Sequence, residues 1–200
     1  MALGNRVSEL FMEVIDRDSI ASRVAELGVR LTDDYQGRDP VLVAVLHGAL
    51  PFLADLVRHL LPTVEVDFLA LSRFGQGGRV RIAMDTAVPL GGRHVVLIED
   101  IVDTGLTLAY VRRLLEARQV ASLVTVTLLD KAPRRIVDVP LEYRGFEVGD
   151  EFLLGYGLDW EGTYRNLSSI WAVLDLGTFR EDPGSLGRVV FDRGGDNLAP

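Results

Sequence analysis

The chain has 200 residues, 48% of them apolar, 25% charged and 8% aromatic, with a formal net charge of -8 and no cysteine. This is enough apolar chain for one domain with a substantial core, and too apolar for global disorder. The missing cysteines exclude disulfide scaffolds, thiolate zinc sites and cysteine nucleophiles. The acidic balance argues against a protein that neutralises long stretches of nucleic-acid backbone. No apolar run reaches the length of a bilayer span, and the first residues, Met1 to Arg6, lack the apolar stretch of a secretory signal. A cytoplasmic protein without membrane or nucleic-acid partners is the expectation. Among 21 basic residues the one lysine is Lys131. A compact ammonium at one place, where every other cation is a planar fork, marks that position for attention.

The first forty residues read as helical: Ile20, Val24, Leu27 and Leu31 recur at three- and four-residue spacing behind Asp18 or Ser19 as cap. Gly37 to Pro40 breaks the helix. Val41 to Leu46 is a continuous apolar run, the mark of a strand buried on both faces. His47-Gly48 follows, and a helix opens near Pro51 with Phe52, Leu53, Leu56, Val57 and Leu60 along one side. Val64 to Leu71 reads as a strand, Ser72 to Gly78 as a Gly-rich flexible loop, and Val80 to Met84 as a returning strand. His94 to Ile98 is a second buried strand. It ends at Glu99-Asp100, and after the stretch Ile101 to Thr107 a helix with Leu108, Val111 and Leu114 inward follows. Ser122 to Leu129 and Ile170 to Leu176 are further strands. Strand, loop and helix repeated in this way predict an α/β fold, a parallel sheet with right-handed crossovers and helices on its flanks. Sites in such sheets lie at the carboxyl ends of strands, here His47-Gly48, Glu99 to Thr107, and Asp130-Lys131.

The segment Glu99-Asp-Ile-Val-Asp-Thr-Gly-Leu-Thr107 carries the strongest chemical signal. A turn that runs into a helix N-terminus aims backbone N–H groups and the positive end of the helix dipole at one point. Gly105 permits close approach, and Thr104 and Thr107 add hydroxyls. The result is a phosphate cradle, distinct from both the Walker loop and the Gly-x-Gly-x-x-Gly turn. Glu99, Asp100 and Asp103 would repel a bare phosphate. They suit a ligand that also brings hydroxyls, a bound metal or a carbon that turns cationic. A ribose phosphate has all three. Asp103 on the turn can face the anomeric carbon or a base nitrogen, and it can equally serve as an N-terminal helix cap.

This segment resembles the phosphoribosyl-diphosphate signature of the type I phosphoribosyltransferases, and in detail that of the hypoxanthine-guanine phosphoribosyltransferases. A second stretch, Gly145 to Trp160 followed by Tyr164-Arg165-Asn-Leu167, resembles the purine-binding hood of the same family. The similarity runs from about Val41 to Leu176. It implies a single domain over residues 1–179, its hood built from N-terminal residues and about 140–167. The tail over 180–200, with Asp182-Pro183-Gly184 and Arg193-Gly-Gly-Asp196, lies outside the resemblance and is expected to be loosely held or to dock on a neighbouring subunit. The resemblance implies transfer of the 5-phosphoribosyl group from 5-phosphoribosyl 1-diphosphate to hypoxanthine or guanine, giving a nucleoside monophosphate and pyrophosphate, with Mg2+ as cofactor and a homodimer or homotetramer as assembly. Carried over by position, Asp103 is the general base. Glu99, Asp100 and Asp103 to Thr107, including Gly105 and Leu106, bind the phosphoribosyl group. His47, Gly48 and Arg165 contact pyrophosphate. Lys131, Phe152, Leu153 and Asp159 bind the purine. Glu99, Asp100 and Asp159 hold metal, and Ser72, Arg73 and Phe74 belong to the flexible loop.

The chain departs from the family in two places. His47 stands where the family carries Lys, which removes a permanent charge. Ser72-Arg73-Phe74 replaces the usual Ser-Tyr, in a loop a few residues shorter than usual. Two further readings compete. One is a regulator with the same fold that binds RNA or nucleotide without turnover, against which stand Asp103, the acidic charge and the purine-type hood. The other is a phosphoacceptor receiver domain, suggested by the Glu99-Asp100 pair, which receivers place on their first strand rather than after nearly one hundred residues.

Overall fold

The computed structural model describes residues 9–74 and 79–193. By its internal contacts the chain divides into two compact units, one from Asp18 to Asp150 and one from Met1–Arg17 with Glu151–Pro200.

The larger unit is built on a six-stranded sheet. Its strands are β2 (Val41–Leu46), β3 (Glu65–Phe74), β4 (Arg79–Met84), β5 (His94–Val102), β6 (Ser122–Asp130) and β7 (Tyr143–Glu147), in the order β4-β3-β2-β5-β6-β7. Strands β3, β2, β5, β6 and β7 pair in parallel. The sheet as a whole is mixed rather than parallel, because β4 returns from β3 as an antiparallel hairpin at the edge. Ser72, Arg73 and Phe74, expected in a loop, are strand residues that pair with Arg81, Val80 and Arg79, and Arg81 Nε donates to Ser72 Oγ at 3.1 Å. The centre of the predicted loop, residues 75–78, lies outside the described residues.

The apolar runs read from the sequence form the middle of this sheet. Val41 to Val45 in β2 and Val95 to Ile98 in β5 are all buried, as strands covered on both faces must be. The N-terminal helical reading holds for α1 (Arg17–Asp34), which buries Ile20, Val24, Leu27 and Leu31. Helix α2 (Ala49–Leu56) follows β2, and α3 (Leu106–Glu116) follows β5 and buries Leu108, Val111 and Leu115. Residues 143–147, expected in the hood, belong to the main sheet as β7.

The smaller unit contains an antiparallel three-stranded sheet in the order β1-β9-β8, from β1 (Phe11–Ile15), β8 (Phe152–Leu154) and β9 (Ile170–Val173). Strand β1 replaces the helix expected there. Its segment Phe-Met-Glu-Val-Ile buries only its two ends, so neither a two-residue nor a helical period is visible in it. Of the tail expected to be loosely held, the described residues end in helices: α4 (Leu176–Glu181) is capped by the Asp175 carboxylate, which accepts from Thr178 N at 3.0 Å, and α5 (Ser185–Arg193) buries Leu186 and Val189; residues 194–200 lie outside the described residues. Phe179 is fully buried at the hub of an aromatic cluster, edge-on to Phe11 at 5.7 Å and to Trp160 at 5.3 Å. Each such aromatic pair adds about 0.5–1.5 kcal/mol beyond area burial. Phe179→Leu keeps most of the volume but loses both edges, and is expected to cost about 1–2 kcal/mol. A thermal unfolding curve of the variant checks this, and an unchanged midpoint would show that the cluster does not brace the unit.

Candidate active site

Three loops of the larger unit leave the carboxyl ends of neighbouring strands. β2 ends at His47-Gly48, β5 at Asp103 and β6 at Lys131, and β5 lies between the other two. The sites read from the sequence therefore come together at one sheet end, as the topology requires. The acidic pair sits within β5 rather than after it, because Ile101 and Val102 continue the pairing opposite Leu129 and Asp130.

The phosphate loop is Asp103 to Gly105, and three successive carbonyls that feed it are held from one side. Val102 O accepts from Lys131 N at 2.9 Å and from Arg135 Nη2 at 3.2 Å. Asp103 O accepts from Arg135 Nε at 3.1 Å, and Thr104 O from Ile136 N at 2.9 Å and Val137 N at 3.0 Å. A peptide unit is planar and trans, so its N–H points away from its C=O. The N–H groups of Asp103, Thr104 and Gly105 are thereby turned away from the 131–137 segment, and none has an acceptor among the described residues. Gly105, with φ of 81°, leads into α3, where Leu106 N donates to Thr104 Oγ1 at 3.4 Å and the helix dipole adds its positive end. Successive free N–H groups at a helix start form an anion cradle. Gly105 is required there: a Cβ would lie 2.4 Å from Val137 O, and its φ is one that side chains avoid.

The acids occupy distinct environments. Glu99 is buried, and desolvation, reinforced by the neighbouring Asp100 carboxylate, holds it well above the usual carboxyl range. Asp100 Oδ1 accepts from Ile101 N at 2.8 Å, and a Cβ on Gly48 would sit 1.6 Å from Asp100 Oδ2. The glycine of the His47-Gly48 loop is thus the residue that lets β2 and β5 end against each other. His47 itself is exposed. The Asp103 side chain is 42% exposed; its Oδ1 lies 3.0 Å from Arg134 Nε but makes no hydrogen bond. That geometry leaves the buried oxygen with unspent acceptor capacity, which a general base needs. Lys131 is 6% exposed, at the end of β6.

In the smaller unit, Phe152 opens β8 and stacks edge-on against Trp160 at 5.5 Å, while Leu153 is buried and pairs with Ala172 of β9. Asp159 is engaged by its own chain: Oδ1 meets Arg165 Nη2 at 2.7 Å and Oδ2 accepts from Gly162 N at 2.7 Å. Arg165 also donates to Gly157 O at 2.5 Å. Asp159 would have to release Arg165 to hold the metal that the resemblance assigned to it. Among the described residues no three His, Asp or Glu side chains gather as a metal centre. Also among them, no helix is long and apolar enough to cross a membrane.

Sequence reasoning missed Arg135. It sits in no recognisable motif, and its contacts to Val102 O and Asp103 O arise only once β5 and β6 are side by side.

The profile of the phosphoribosyl transferase domain family matches residues 13–161. The chain belongs to the phosphoribosyltransferase family. Among relatives of this phosphoribosyltransferase, the hypoxanthine-guanine phosphoribosyltransferase of Bacillus subtilis is 44% identical over 161 residues, 78% of this chain and 89% of that one. The enzyme of the same name from Streptococcus thermophilus is 42% identical over 158 residues, 77% of this chain and 88% of that one. A crystal structure of a hypoxanthine phosphoribosyltransferase from Staphylococcus aureus superposes with a TM-score of 0.79 at 37% identity, covering 86% of this phosphoribosyltransferase and 96% of the other chain.

Proposed function

We propose that this protein is a purine-salvage enzyme that transfers the phosphoribosyl group of 5-phosphoribosyl 1-diphosphate to hypoxanthine or guanine. The observation that carries the proposal is the loop after β5, where three N–H groups stand free at a helix start beside Asp100 and Asp103, in a chain that belongs to the phosphoribosyltransferase family.

The chemistry follows from the residues. The 5′-phosphate accepts from the N–H groups of Asp103 to Gly105 and from the hydroxyls of Thr104 and Thr107. Glu99 and Asp100 hold the ribose hydroxyls. Departure of pyrophosphate leaves C1 electron-poor, as in glycoside cleavage, and the fixed carboxylates lower the energy of that charge. Asp103 accepts the proton from N7 of the base as the new bond forms. Lys131 donates to the 6-oxo oxygen, and Gly48 and His47 serve the pyrophosphate.

Mg2+ fits the Glu99–Asp100 corner of this arrangement, since it is held by one or two carboxylates together with substrate oxygens rather than by a full protein cage. When bound there it neutralises charge on the departing pyrophosphate. Asp159 fits a metal less well, both its oxygens being taken.

An assay with adenine, guanine, hypoxanthine and xanthine, each with 5-phosphoribosyl 1-diphosphate and Mg2+, tests the proposal by the change in purine absorbance. Hypoxanthine or guanine is expected to give the monophosphate. Adenine is expected to be disfavoured by about 10⁴-fold, because its 6-amino group presents a donor to the Lys131 ammonium. No turnover with either oxopurine, together with tight and salt-sensitive RNA binding, would favour the regulator instead. Assembly as a homodimer or homotetramer and a cytoplasmic location belong to the same proposal.

A further inference from the structure

We infer that Arg135 is a positioning residue of the phosphate loop, a guanidinium that helps set the direction of two of the three N–H groups gripping the 5′-phosphate. The inference rests on the functional reading above and extends it to a residue outside the signature motif.

Arg135 meets three acceptors. Nε donates to Asp103 O at 3.1 Å, Nη2 donates to Val102 O at 3.2 Å, and Nη2 also pairs with Asp130 Oδ1. Asp130 is buried at the end of β6, and Arg144 Nη1 holds its other oxygen at 3.0 Å. The carboxylate is therefore fixed from two sides and orients the guanidinium, which in turn fixes two carbonyls of the neighbouring loop. Each carbonyl held on the Arg135 side turns the next N–H to the opposite side. The Asp103 and Thr104 donors are thus aimed through Arg135, whereas the Gly105 donor is aimed by the backbone of Ile136 and Val137. The Arg135 stem adds a wall: a Cβ on Gly105 would lie 3.0 Å from its Cδ.

Lysine cannot replace this group. A point-like ammonium can neutralise Asp130 but cannot present two edges to two carbonyls in one plane. The same strand end carries Lys131, whose backbone N–H shares Val102 O with Arg135. One carbonyl thus joins the base-reading strand end to the phosphate loop.

The test uses Arg135→Lys and Arg135→Ala in the full chain, with wild type as reference. Both variants are expected to raise KM for 5-phosphoribosyl 1-diphosphate, by about 10-fold for Lys and up to about 100-fold for Ala, the range for losing charge-assisted hydrogen bonds. KM for the purine base is expected to stay within about twofold, because no Arg135 contact reaches that group. Ethylguanidinium, which matches the atoms removed in Arg135→Ala, is expected to restore at least part of the lost affinity. A general loss of structure would instead lower kcat, raise both KM values and resist rescue. If Arg135→Ala does not fold, Arg135→Lys decides. An unchanged KM for 5-phosphoribosyl 1-diphosphate in the folded variant overturns the inference, as does an equal rise in both KM values without rescue. If the wild-type protein forms no nucleotide, the functional reading fails separately, and calorimetry with inorganic phosphate then tests the loop alone. Weaker phosphate binding by the variants than by wild type supports the inference; equal binding, or none by wild type, overturns it.

Discussion

Replacing Asp103 by asparagine is expected to lower kcat by about 10²- to 10⁴-fold, the usual contribution of a positioned general base. The amide keeps the shape of the side chain but cannot accept the N7 proton. Stability is expected to change little, because the one charged partner among the described residues is Arg134 and the pair is close to half exposed on each side. Exposed pairs of this kind contribute at most about 1 kcal/mol. Steady-state kinetics beside a thermal unfolding curve separate the two effects. Full activity in the variant would mean that another group takes the proton. A large fall in the unfolding midpoint would mean that Asp103 is a cap or strut rather than a base.

Gly105→Ala is expected to be the most damaging single methyl group in the larger unit. The residue has φ of 81°, and adopting that conformation with a Cβ costs about 1–2 kcal/mol. The new atom would also meet Val137 O at 2.4 Å and Arg135 Cδ at 3.0 Å. Relief of that overlap requires movement of the 135–137 segment, whose N–H groups hold Thr104 O. The donors that grip phosphate then lose their common direction. KM for 5-phosphoribosyl 1-diphosphate is expected to rise by at least about 10-fold, with kcat falling as well. Gly162→Ala is the matched control: φ there is 88°, but nothing lies within 4 Å of the added Cβ. It carries the backbone strain without the collision, and its kinetics are expected to stay close to wild type. Similar losses in both variants would show that strain alone, and not the packing of the loop, sets phosphate affinity.

The contrast between these glycines illustrates what was legible in the sequence. Gly105 stands out because it follows a buried strand and precedes a helix, a local pattern. That its Cβ would strike Val137 depends on a pairing between distant segments, and no local pattern reports it. The same division runs through the fold. β2 and β5 are readable because burial on both faces leaves an uninterrupted apolar run. β1 is not, because only Phe11 and Ile15 of its five residues are buried. The continuation of β5 beyond Glu99-Asp100 was hidden because acids at a strand end resemble a loop, and only the pairing with β6 extends it. The helical end of the chain was missed because Leu186 and Val189 bury against a cluster centred on Phe179 that no sequence window contains. Asp103, Lys131 and the Gly48 turn could be picked out as candidates from strand ends and motif, and the sheet brings those strand ends side by side. Arg134, Arg135 and Arg144 could not be, because charged residues in this stretch look like a solvated surface until the sheet sets Asp130 between Arg135 and Arg144 and brings Asp103 beside Arg134.

The central claim is that the turn after β5 holds the 5′-phosphate of a purine nucleotide. A crystal structure with guanosine or inosine 5′-monophosphate and Mg2+ tests it most directly. The account predicts phosphate oxygens within hydrogen-bond distance of the N–H groups of Asp103, Thr104 and Gly105, with the Lys131 ammonium on the 6-oxo oxygen. A nucleotide bound elsewhere, with those three donors turned to water, would contradict it.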